Sequence, residues 1–317
     1  MRTVVTGGSG FIGSRLCTFL RSRGDTVTAI DLPNCDVRDT AQLTRMLEKA
    51  EPDHIYHLAA QSSVRRSWQI PTATWRSNAA GTVSVLDAAR DACPHTSILV
   101  MSSAGVFDGA RVDSPIDESR TPAPHSPYAA SKLAAETAAR HYLAAHGLRA
   151  VIVRPFNVIG RAQGPDFLVP SLSRRLIAAA RSGADHITVG NVDVQRDFLD
   201  VRDAVRGLRL LMQQGQPGEI YNLCSGVGVP IRTLVETMIS LTGHSLEYRQ
   251  DPALLRSADA PLLVGNPAKT RSLTGWRAGI PLATSLADVL SEAAAPGATR
   301  SHPLTRRALD HRLDDRP

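Results

Sequence analysis

The glycine-rich segment Val4–Gly13, VVTGGSGFIG, constrains the fold of this chain more than any other part of its sequence. An apolar run from the N-terminus ends in glycines spaced G-x-x-G-x-x-G, at Gly7, Gly10 and Gly13, and a helix-like run follows at once. The first glycine permits a tight turn, the second lets the backbone approach a pyrophosphate, and the third lets the helix pack close to the sheet. Free N–H groups at the helix N-terminus then face the phosphates. This strand–turn–helix unit predicts a dinucleotide site rather than a plain βαβ turn.

Apolar runs and amphipathic stretches alternate through the first half of the chain. The apolar runs predict buried parallel strands at Thr3–Thr6, Thr26–Ile30, His54–Leu58, Ser97–Met101 and Arg149–Val153. The amphipathic stretches predict helices at Ala41–Ala50, Ala79–Asp91 and Tyr128–His146. This alternation is typical of α/β proteins with a Rossmann-type doubly wound parallel sheet, whose ligands bind at the carboxyl ends of the strands. Asp31, directly after the second run, stands where such a unit places the acid that binds a ribose hydroxyl.

The pattern changes after Val153, and we expect a smaller α/β region that binds substrate and is interleaved with the sheet. We predict a dinucleotide-binding domain over residues 1–155, with return segments near 196–224, and a substrate-binding region over 156–295. Within the second half, helical stretches lie at Asp197–Gln213, Ile231–Leu241 and Ser285–Ala294, and a strand at Glu219–Leu223. Residues 296–317 show no apolar periodicity and predict a mobile tail, or a short helix that docks on a partner.

Composition excludes several other classes of protein. The chain has 36 basic and 30 acidic side chains, a net charge of +6, and the two signs are interspersed, which does not indicate a nucleic-acid partner. The four cysteines lie far apart, without C-x-x-C or a histidine at ligand spacing, so neither a metal site nor disulfides are expected. No run approaches about 18 apolar residues, which predicts no membrane partner. The N-terminus leads directly into the first strand without a signal peptide, and we expect a cytoplasmic protein.

A possible catalytic group lies around the predicted strand Ser97–Met101 and the helix after it. The strand ends at Ser102 and Ser103, and Ser126 is placed to cap a helix in which Tyr128 and Lys132, four residues apart, share a face. A phenol is a poor acid–base group at neutral pH, but a nearby ammonium favours the phenolate. With a serine hydroxyl holding the reacting oxygen, the set fits hydride transfer at a secondary alcohol or ketone. Taken alone, Y-x-x-x-K also fits a pair on a helix surface.

With these motifs, the sequence resembles the extended short-chain dehydrogenase/reductase family, in its NAD-dependent epimerase/dehydratase branch that acts on sugar nucleotides. The resemblance covers about residues 1–293. The segments that carry it are TGGSGFIG, Asp31, HLAAQ at His57–Gln61, SSAGVF at Ser102–Phe107, YAASK at Tyr128–Lys132, RPFNVIG at Arg154–Gly160, QRDFLDVRD at Gln195–Asp203, and RSADAPLLVGNPAK from Arg256.

The resemblance implies a catalytic triad of Ser103, Tyr128 and Lys132, and an NAD cofactor. Asp31 matches the residue that binds the adenosine ribose, and its carboxylate favours NAD(H) because it repels a 2′-phosphate. Arg15 or Arg38 is placed to accept that phosphate, so NADP is not excluded. The other residues implied to bind the cofactor are Gly7, Gly10, Phe11, Ile12, Gly13, Asp36 and Val37 (at adenine), Leu58, Ala59, Ala60, Asn78, Ser102 and Pro155, together with Tyr128 and Lys132.

For the substrate, the resemblance implies a nucleotide sugar bound by the second region and by Ser103. Asn157 matches a residue that contacts the diphosphate, and Arg196 and Arg256 match arginines that grip it, since guanidinium groups fit phosphate oxygens. Val169 completes the expected substrate residues. A homodimer is also implied, through a four-helix bundle formed by the alanine-rich faces of residues 79–92 and 128–146.

The choice among family members rests on the segment after Ser103. Dehydratases of this branch commonly carry a carboxylate there, whereas this chain has Ala104 and Gly105, which argues against 4,6-dehydration. The closest resemblance is to GDP-4-keto-6-deoxy-mannose reductases, and it lies in TATWRSNAAGT, VGNVDVQRDFLDVRD and YNLCSGVGVPIRTLV. It implies hydride delivery to a C4 ketone with Tyr128 as proton donor. Such reductases often have acids and a tyrosine where this chain has SSAGVF, so an epimerase remains an alternative, and a non-catalytic NAD(H)-binding sensor a third. Sequence alone does not aim Asp108 or Asp113.

Overall fold

The computed structural model describes residues 1–110, 113–254 and 260–295. The expected substrate residue Arg256 and the expected tail at 296–317 lie outside these ranges. Over the described residues, the strands are β1 (Arg2–Thr6), β2 (Thr26–Ile30), β3 (His54–His57), β4 (Ser97–Met101), β5 (Arg149–Pro155), β6 (Asn157–Ile159), β7 (His186–Val189), β8 (Gln195–Asp200), β9 (Ile220–Leu223), β10 (Gly228–Pro230), β11 (Glu247–Gln250) and β12 (Leu262–Leu263).

Helices fill most of the connections between these strands. The α-helices are α1 (Phe11–Ser22), α2 (Thr40–Ala50), α3 (Val64–Gln69), α4 (Pro71–Trp75), α5 (Gly81–Ala92), α6 (Pro127–His146), α7 (Leu168–Ser182), α8 (Val201–Gln214), α9 (Ile231–Thr242), α10 (Ala268–Thr274) and α11 (Leu282–Ala294). A π-helical segment, Arg76–Ala80, joins α4 to α5, and short 3₁₀ turns follow β4 and β11.

The central sheet has six parallel strands in the order β2-β1-β3-β4-β5-β9. On one face, α1 and α8 bury Leu16, Leu20, Leu208 and Leu211 against the strands. On the other face, α2, α5 and α6 cover the sheet with Leu43, Leu47, Val85 and Leu86 among the buried residues. The predicted Rossmann-type doubly wound α/β fold is therefore confirmed. The chain runs from β1 outward to β2 and then crosses back to β3, so a ligand crevice opens between the carboxyl ends of β1 and β3.

A second cluster of short strands lies beyond β5. Strand β8 pairs with β6, β10 and β12, while β7 pairs with β11, and helices α7, α9 and α11 supply a separate apolar core. Strand β9 follows β8 in the chain but joins the central sheet beside β5. The helix predicted at Asp197–Gln213 starts later than expected. Residues through Asp200 belong to β8, and α8 starts at Val201. Asp200 ends the strand because its side chain accepts the N–H of Arg202 as a helix cap.

Candidate active site

The glycine loop lies at the crevice, and its geometry explains why Gly7 and Gly13 are glycines. Gly7 has φ of 70°, and a Cβ there would stand 2.7 Å from the backbone nitrogen of Ala59, directly after β3. A Cβ on Gly13 would stand 2.0 Å from the carbonyl oxygen of Gly7, so α1 packs this closely only with glycine. Gly10 caps α1 without a side-chain hydrogen bond, and a Cβ there would meet only the Gly7 oxygen, at 3.1 Å. The first-turn N–H groups of α1, with half-buried Phe11 and Ile12, fit a dinucleotide pyrophosphate.

Asp31 faces this loop from the end of β2. Its carboxylate accepts hydrogen bonds from the backbone N–H and the hydroxyl of Ser9, at 3.0 and 2.5 Å, and from the N–H of Leu32, at 2.9 Å. The acid expected for the ribose is thus fixed beside the glycine loop. Two further expected cofactor residues follow: Val37 is buried and packs near Gly81, and Asp36 forms an ion pair with Arg38 at 2.6 Å.

The two arginines that left NADP open both have partners within the protein. Arg15 donates to the backbone carbonyl of Arg161 at 2.7 Å, across from α1 to the segment after β6. Arg38 donates through Nε and Nη2 to the carboxylate of Asp36. A 2′-phosphate bound by either arginine therefore has to share or replace these contacts.

The end of β3 carries a buried histidine that sequence reasoning did not single out. The Nδ1 of His57 lies 2.8 Å from the Thr6 hydroxyl on β1, and its Nε2 lies 3.0 Å from the Thr82 hydroxyl on α5. Burial lowers the pKa of His57 to about 3, so the ring is neutral at physiological pH. It fixes the strand end directly before the expected cofactor residues Leu58, Ala59 and Ala60, which are partly exposed in the crevice. The sequence signal that could have indicated His57 is its position at the start of the HLAAQ segment.

Asn78, expected from the resemblance, belongs to the π-helical segment before α5. Its Oδ1 accepts the N–H of Gln61 at 2.8 Å, and its Nδ2 donates to the Gln61 carbonyl at 2.9 Å and to the Ser131 hydroxyl at 3.0 Å. The amide thus joins the loop after β3 to α6, next to Lys132. Irregular π segments of this kind occur frequently at functional sites.

Tyr128 and Ser103 meet at the carboxyl edge of the central sheet. Ser126 caps α6 as predicted, accepting the N–H of Ala129 at 3.1 Å, and so places Tyr128 in the first turn. Ser103 accepts the N–H of Gly105 at 2.9 Å, and its hydroxyl lies close enough to Tyr128 to act on the phenol. Burial raises the pKa of Tyr128, and the Ser103 hydroxyl opposes that rise.

Lys132 lies one turn further along α6 and is 5% exposed. Its Nζ donates to the backbone carbonyl of Met101 at 2.7 Å. Burial lowers the pKa of Lys132 to about 8, while the charge of Glu136 acts in the opposite direction. The ammonium is therefore mostly charged at neutral pH, as stabilisation of a tyrosine phenolate requires.

The structure shows where the side chain of Asp108 points, which the sequence alone does not indicate. Asp108 accepts the N–H of His125 at 2.5 Å and the hydroxyl of Ser126 at 2.9 Å, so its carboxylate supports the start of α6. Asp113 is exposed. After Ser103 come buried Ala104 and then Gly105, where a Cβ would stand 3.1 Å from the Ser103 hydroxyl and 3.4 Å from the Tyr128 ring. The two described residues directly after Ser103 thus carry no carboxylate.

The expected substrate residues of the second region are only partly brought together. Asn157 on β6 and Arg196 on β8 belong to paired strands; Asn157 donates to the carbonyl of Asp197 at 2.8 Å, and Arg196 to the carbonyl of Ala260 at 2.8 Å. The side chain of Val169 is 1% exposed and packs in the core of this region, and Pro155 is buried at the end of β5. Across residues 1–110, 113–254 and 260–295, no cluster of metal-ligating side chains and no helix able to span a membrane is found.

The chain belongs to the NAD dependent epimerase/dehydratase family, whose model matches residues 3–224. The expected resemblance is therefore confirmed, with NAD(P) as the cofactor of the family. The chain is 35% identical over 295 residues to the GDP-6-deoxy-D-mannose reductase of Pseudomonas aeruginosa, which covers 92% of this chain and 96% of the relative.

Two solved structures share the fold over nearly their whole lengths. The structure of RMD from Pseudomonas aeruginosa complexed with NADPH superposes with a TM-score of 0.84 at 32% identity, covering 93% of this chain and 99% of that one. The UDP-glucose 4-epimerase of Thermotoga maritima with UDP-glucose superposes with a TM-score of 0.84 at 26% identity, covering 92% and 98%. A reductase and an epimerase are thus both built on this fold.

Proposed function

We propose that this protein is a sugar-nucleotide oxidoreductase that reduces the C4 ketone of a GDP-4-keto-6-deoxyhexose. The observation that carries the proposal is the group formed by half-buried Ser103 with buried Tyr128 and Lys132 at the carboxyl edge of the sheet, facing the crevice that holds the glycine loop. The similarity to a GDP-6-deoxy-D-mannose reductase over almost the whole chain supports the choice of substrate.

The reaction places one proton and one hydride on the ketone. When bound, NAD(P)H supplies the hydride that C4 receives. The Ser103 hydroxyl orients the ketone oxygen, and Tyr128 donates its phenolic proton to that oxygen as the carbonyl π bond breaks. Lys132 stabilises the resulting phenolate, which then regains a proton from solvent.

The cofactor would be held by the glycine loop and by the carboxyl ends of β2 and β3. Asp31 fits the adenosine ribose, and the two partnered arginines offer no ready site for a 2′-phosphate, so NADH is the preferred donor. Asp36 and Val37 would border adenine. The remaining contacts would come from Gly7, Gly10, Phe11, Ile12, Gly13, Leu58, Ala59, Ala60, Asn78, Ser102 and Pro155.

The nucleotide diphosphate would lie against the second region. Asn157 and Arg196 occupy the paired strands β6 and β8. The family resemblance implies Arg256, which lies outside the described residues, as a further diphosphate ligand. Val169 would contribute to the wall of the site rather than a direct side-chain contact, because its side chain is buried. Residues 156–295 would thus form the substrate region of a chain whose first 155 residues bind the cofactor.

An epimerase is the second candidate, and one observation favours it. The residues after Ser103, Ala104 and Gly105, are small, as the family resemblance leads us to expect of an epimerase. The fold is also shared with a UDP-glucose 4-epimerase. A non-catalytic NAD(H) sensor is the third candidate, and the complete set of Ser103, Tyr128 and Lys132 argues against it.

The deciding experiment incubates the purified enzyme with GDP-4-keto-6-deoxymannose and either NADH or NADPH, following absorbance at about 340 nm. Stoichiometric loss of absorbance with a 6-deoxyhexose product supports the reductase and gives the coenzyme preference. Constant absorbance with isomer formation from UDP-, dTDP- or GDP-hexoses identifies an epimerase instead. Cofactor binding with neither reaction points to a sensor.

A homodimer through α5 and α6 is part of the proposal. Trp75 on α4 and Val83 on α5 are 42% and 37% exposed, and small residues line the outer face of α6, including Ala144. Close helix–helix packing would cover these apolar side chains. Light scattering at micromolar concentration tests the dimer, and a monomeric mass would contradict it. A cytoplasmic location, consistent with four free thiols, can be tested by cell fractionation.

A further inference from the structure

A buried carboxylate with no assigned role lies behind the catalytic group. Glu136 is on α6, one turn beyond Lys132, and is 2% exposed. It accepts hydrogen bonds from the Nε and Nη2 of Arg154 on β5, at 2.8 and 2.7 Å. It also accepts the hydroxyl of Ser102, which directly precedes Ser103.

Two side chains of α6 therefore hold two consecutive residues at the end of β4. Lys132 binds the carbonyl of Met101, and Glu136 binds the hydroxyl of Ser102. The next residue along the chain is Ser103, and the helix turn before Lys132 carries Tyr128. The position of Ser103 relative to Tyr128 thus depends on the register of α6 against the end of β4, which Lys132 and Glu136 set together.

The charge of Glu136 also acts on Lys132. Burial lowers the pKa of Lys132 to about 8, and the negative charge of Glu136 opposes that effect. The other groups near Lys132 do not take this role: Tyr128 on α6 is protonated, His57 on β3 is held neutral by burial, and Arg154 on β5 is a cation. Among the described residues, Glu136 is the carboxylate that favours the charged form of Lys132.

Stability does not account for this ion pair. A buried pair usually gives no more stability than apolar side chains of the same size, because both ions lose their hydration. Arg154 also carries a desolvation penalty that no hydrogen bond offsets, because its buried Nη1 has no hydrogen-bond partner among the described residues. Its guanidinium lies 4.9 Å from the ring centre of Phe107, which fills the remaining space.

We propose that Glu136 is a positioning residue for the reaction, which holds the Ser103 strand end against α6 and places its carboxylate one turn from Lys132, with Arg154 as its anchor. This inference rests on the proposed role of Ser103, Tyr128 and Lys132 in hydride transfer. The ammonium of Lys132 is needed when Tyr128 gives up its proton. Loss of the Glu136 charge should therefore slow the reaction more strongly at alkaline pH than at neutral pH.

The first test measures Lys132 directly and needs no substrate. The chain contains three lysines, Lys49, Lys132 and Lys269, so a protein labelled with ¹³C at lysine Cε gives three signals that Lys→Arg variants assign. In Glu136→Gln, the midpoint of the Lys132 titration should fall by about one pH unit. In Arg154→Met, the midpoint should rise, because the carboxylate then acts without its cation. The two changes of opposite sign separate charge coupling from loose packing, and unchanged midpoints in both variants would overturn the proposal.

The second test uses the pH dependence of kcat. In Glu136→Gln, the alkaline limb should move to lower pH, with a rate about tenfold below the parent protein at pH 9 and a smaller loss at pH 6.5. Ser102→Ala keeps both charges and should lower kcat without moving that limb. Asp203→Asn is the matched control, because Asp203 is also buried and bound to an arginine, Arg206, but lies in α8. If kcat of Glu136→Gln fell by the same factor at every pH, and by as much as kcat of the control, Glu136 would have only a structural role. Failure of the parent protein to turn over the substrate would contradict the proposed function while leaving the lysine titration intact.

Discussion

The carboxylate of Asp108 accepts a hydrogen bond from the hydroxyl of Ser126 at 2.9 Å, while that hydroxyl caps α6 through the N–H of Ala129. The loop after Ser103 is in this way tied to the first turn of α6, where Tyr128 lies. Asp108 thereby supports the position of the Tyr128 phenol.

Replacing Asp108 with alanine should lower kcat several-fold and destabilise the fold by about 1 kcal/mol, because the helix start loses two hydrogen bonds. Steady-state kinetics and thermal unfolding measure the two effects. Asp108→Asn, which keeps an oxygen acceptor, should recover most of the loss. Complete inactivity of both variants would instead indicate that the carboxylate takes part in chemistry.

Tyr128→Phe should lower turnover by at least about 10²-fold, because the ketone oxygen loses its proton donor. Cofactor affinity, measured by fluorescence quenching or calorimetry, should change little, since the phenol ring stays buried. Ser103→Ala should have a smaller effect in the same direction. If Tyr128→Phe kept full activity, the catalytic assignment would be wrong.

Asp31→Asn should reduce kcat/KM for NADH by roughly tenfold and improve the value for NADPH, because the charge that repels a 2′-phosphate is gone. The amide retains an oxygen for the N–H of Ser9, so the glycine loop should stay in place. The ratio of the two kcat/KM values is the readout. Parent protein that already prefers NADPH would show that Arg15 or Arg38 leaves its present partner to bind the phosphate.

Two glycines of the same loop should respond differently to alanine. Gly13→Ala puts a Cβ against the Gly7 oxygen and should destabilise the fold by more than about 2 kcal/mol. Gly10→Ala meets that oxygen only at 3.1 Å, so it should unfold close to the parent temperature and chiefly weaken cofactor binding. Denaturant unfolding and cofactor titration check the pair. Equal stability of the two variants would contradict the packing role assigned to Gly13.

The neutral His57 should make the protein sensitive to acid. Its pKa is lowered to about 3 by burial, so between that value and the ordinary value near 6.5 the unfolded chain binds a proton that the folded chain does not. Stability contributed by this difference is present above about pH 6.5 and is lost as the pH falls, by several kcal/mol near pH 3. His57→Gln should flatten the acid side of the stability curve. An unchanged curve would show that other groups control acid unfolding.

The parts of the fold that could be predicted from sequence are those that local periodicity encodes. The glycine loop, the first five strands of the sheet and the cap at Ser126 follow from neighbours within a few residues. The strand Gln195–Asp200 was harder, because it pairs with β6, β10 and β12 from three distant segments, and no local pattern separates it from the start of α8.

The residues of the candidate site could be predicted from sequence, but the hydrogen bonds and the ion pair that hold them in place could not. Ser103, Tyr128 and Lys132 stand in recognisable motifs. The direction of Asp108 depends on a loop that returns 17 residues later, and the Glu136–Arg154 pair joins a helix to a strand 18 residues away. Such contacts are set by how the elements pack, which the spacing of residues along the chain does not specify.

The place of β9 has a consequence for how the protein is made. This strand completes the central sheet beside β5, yet the ribosome reaches it only after β6, α7, β7, β8 and α8 have been synthesised. Until then, β5 is an open hydrophobic edge that can pair with another chain. A truncated protein ending at residue 155 should therefore aggregate, and a nascent chain should acquire resistance to protease only after Leu223 has left the exit tunnel.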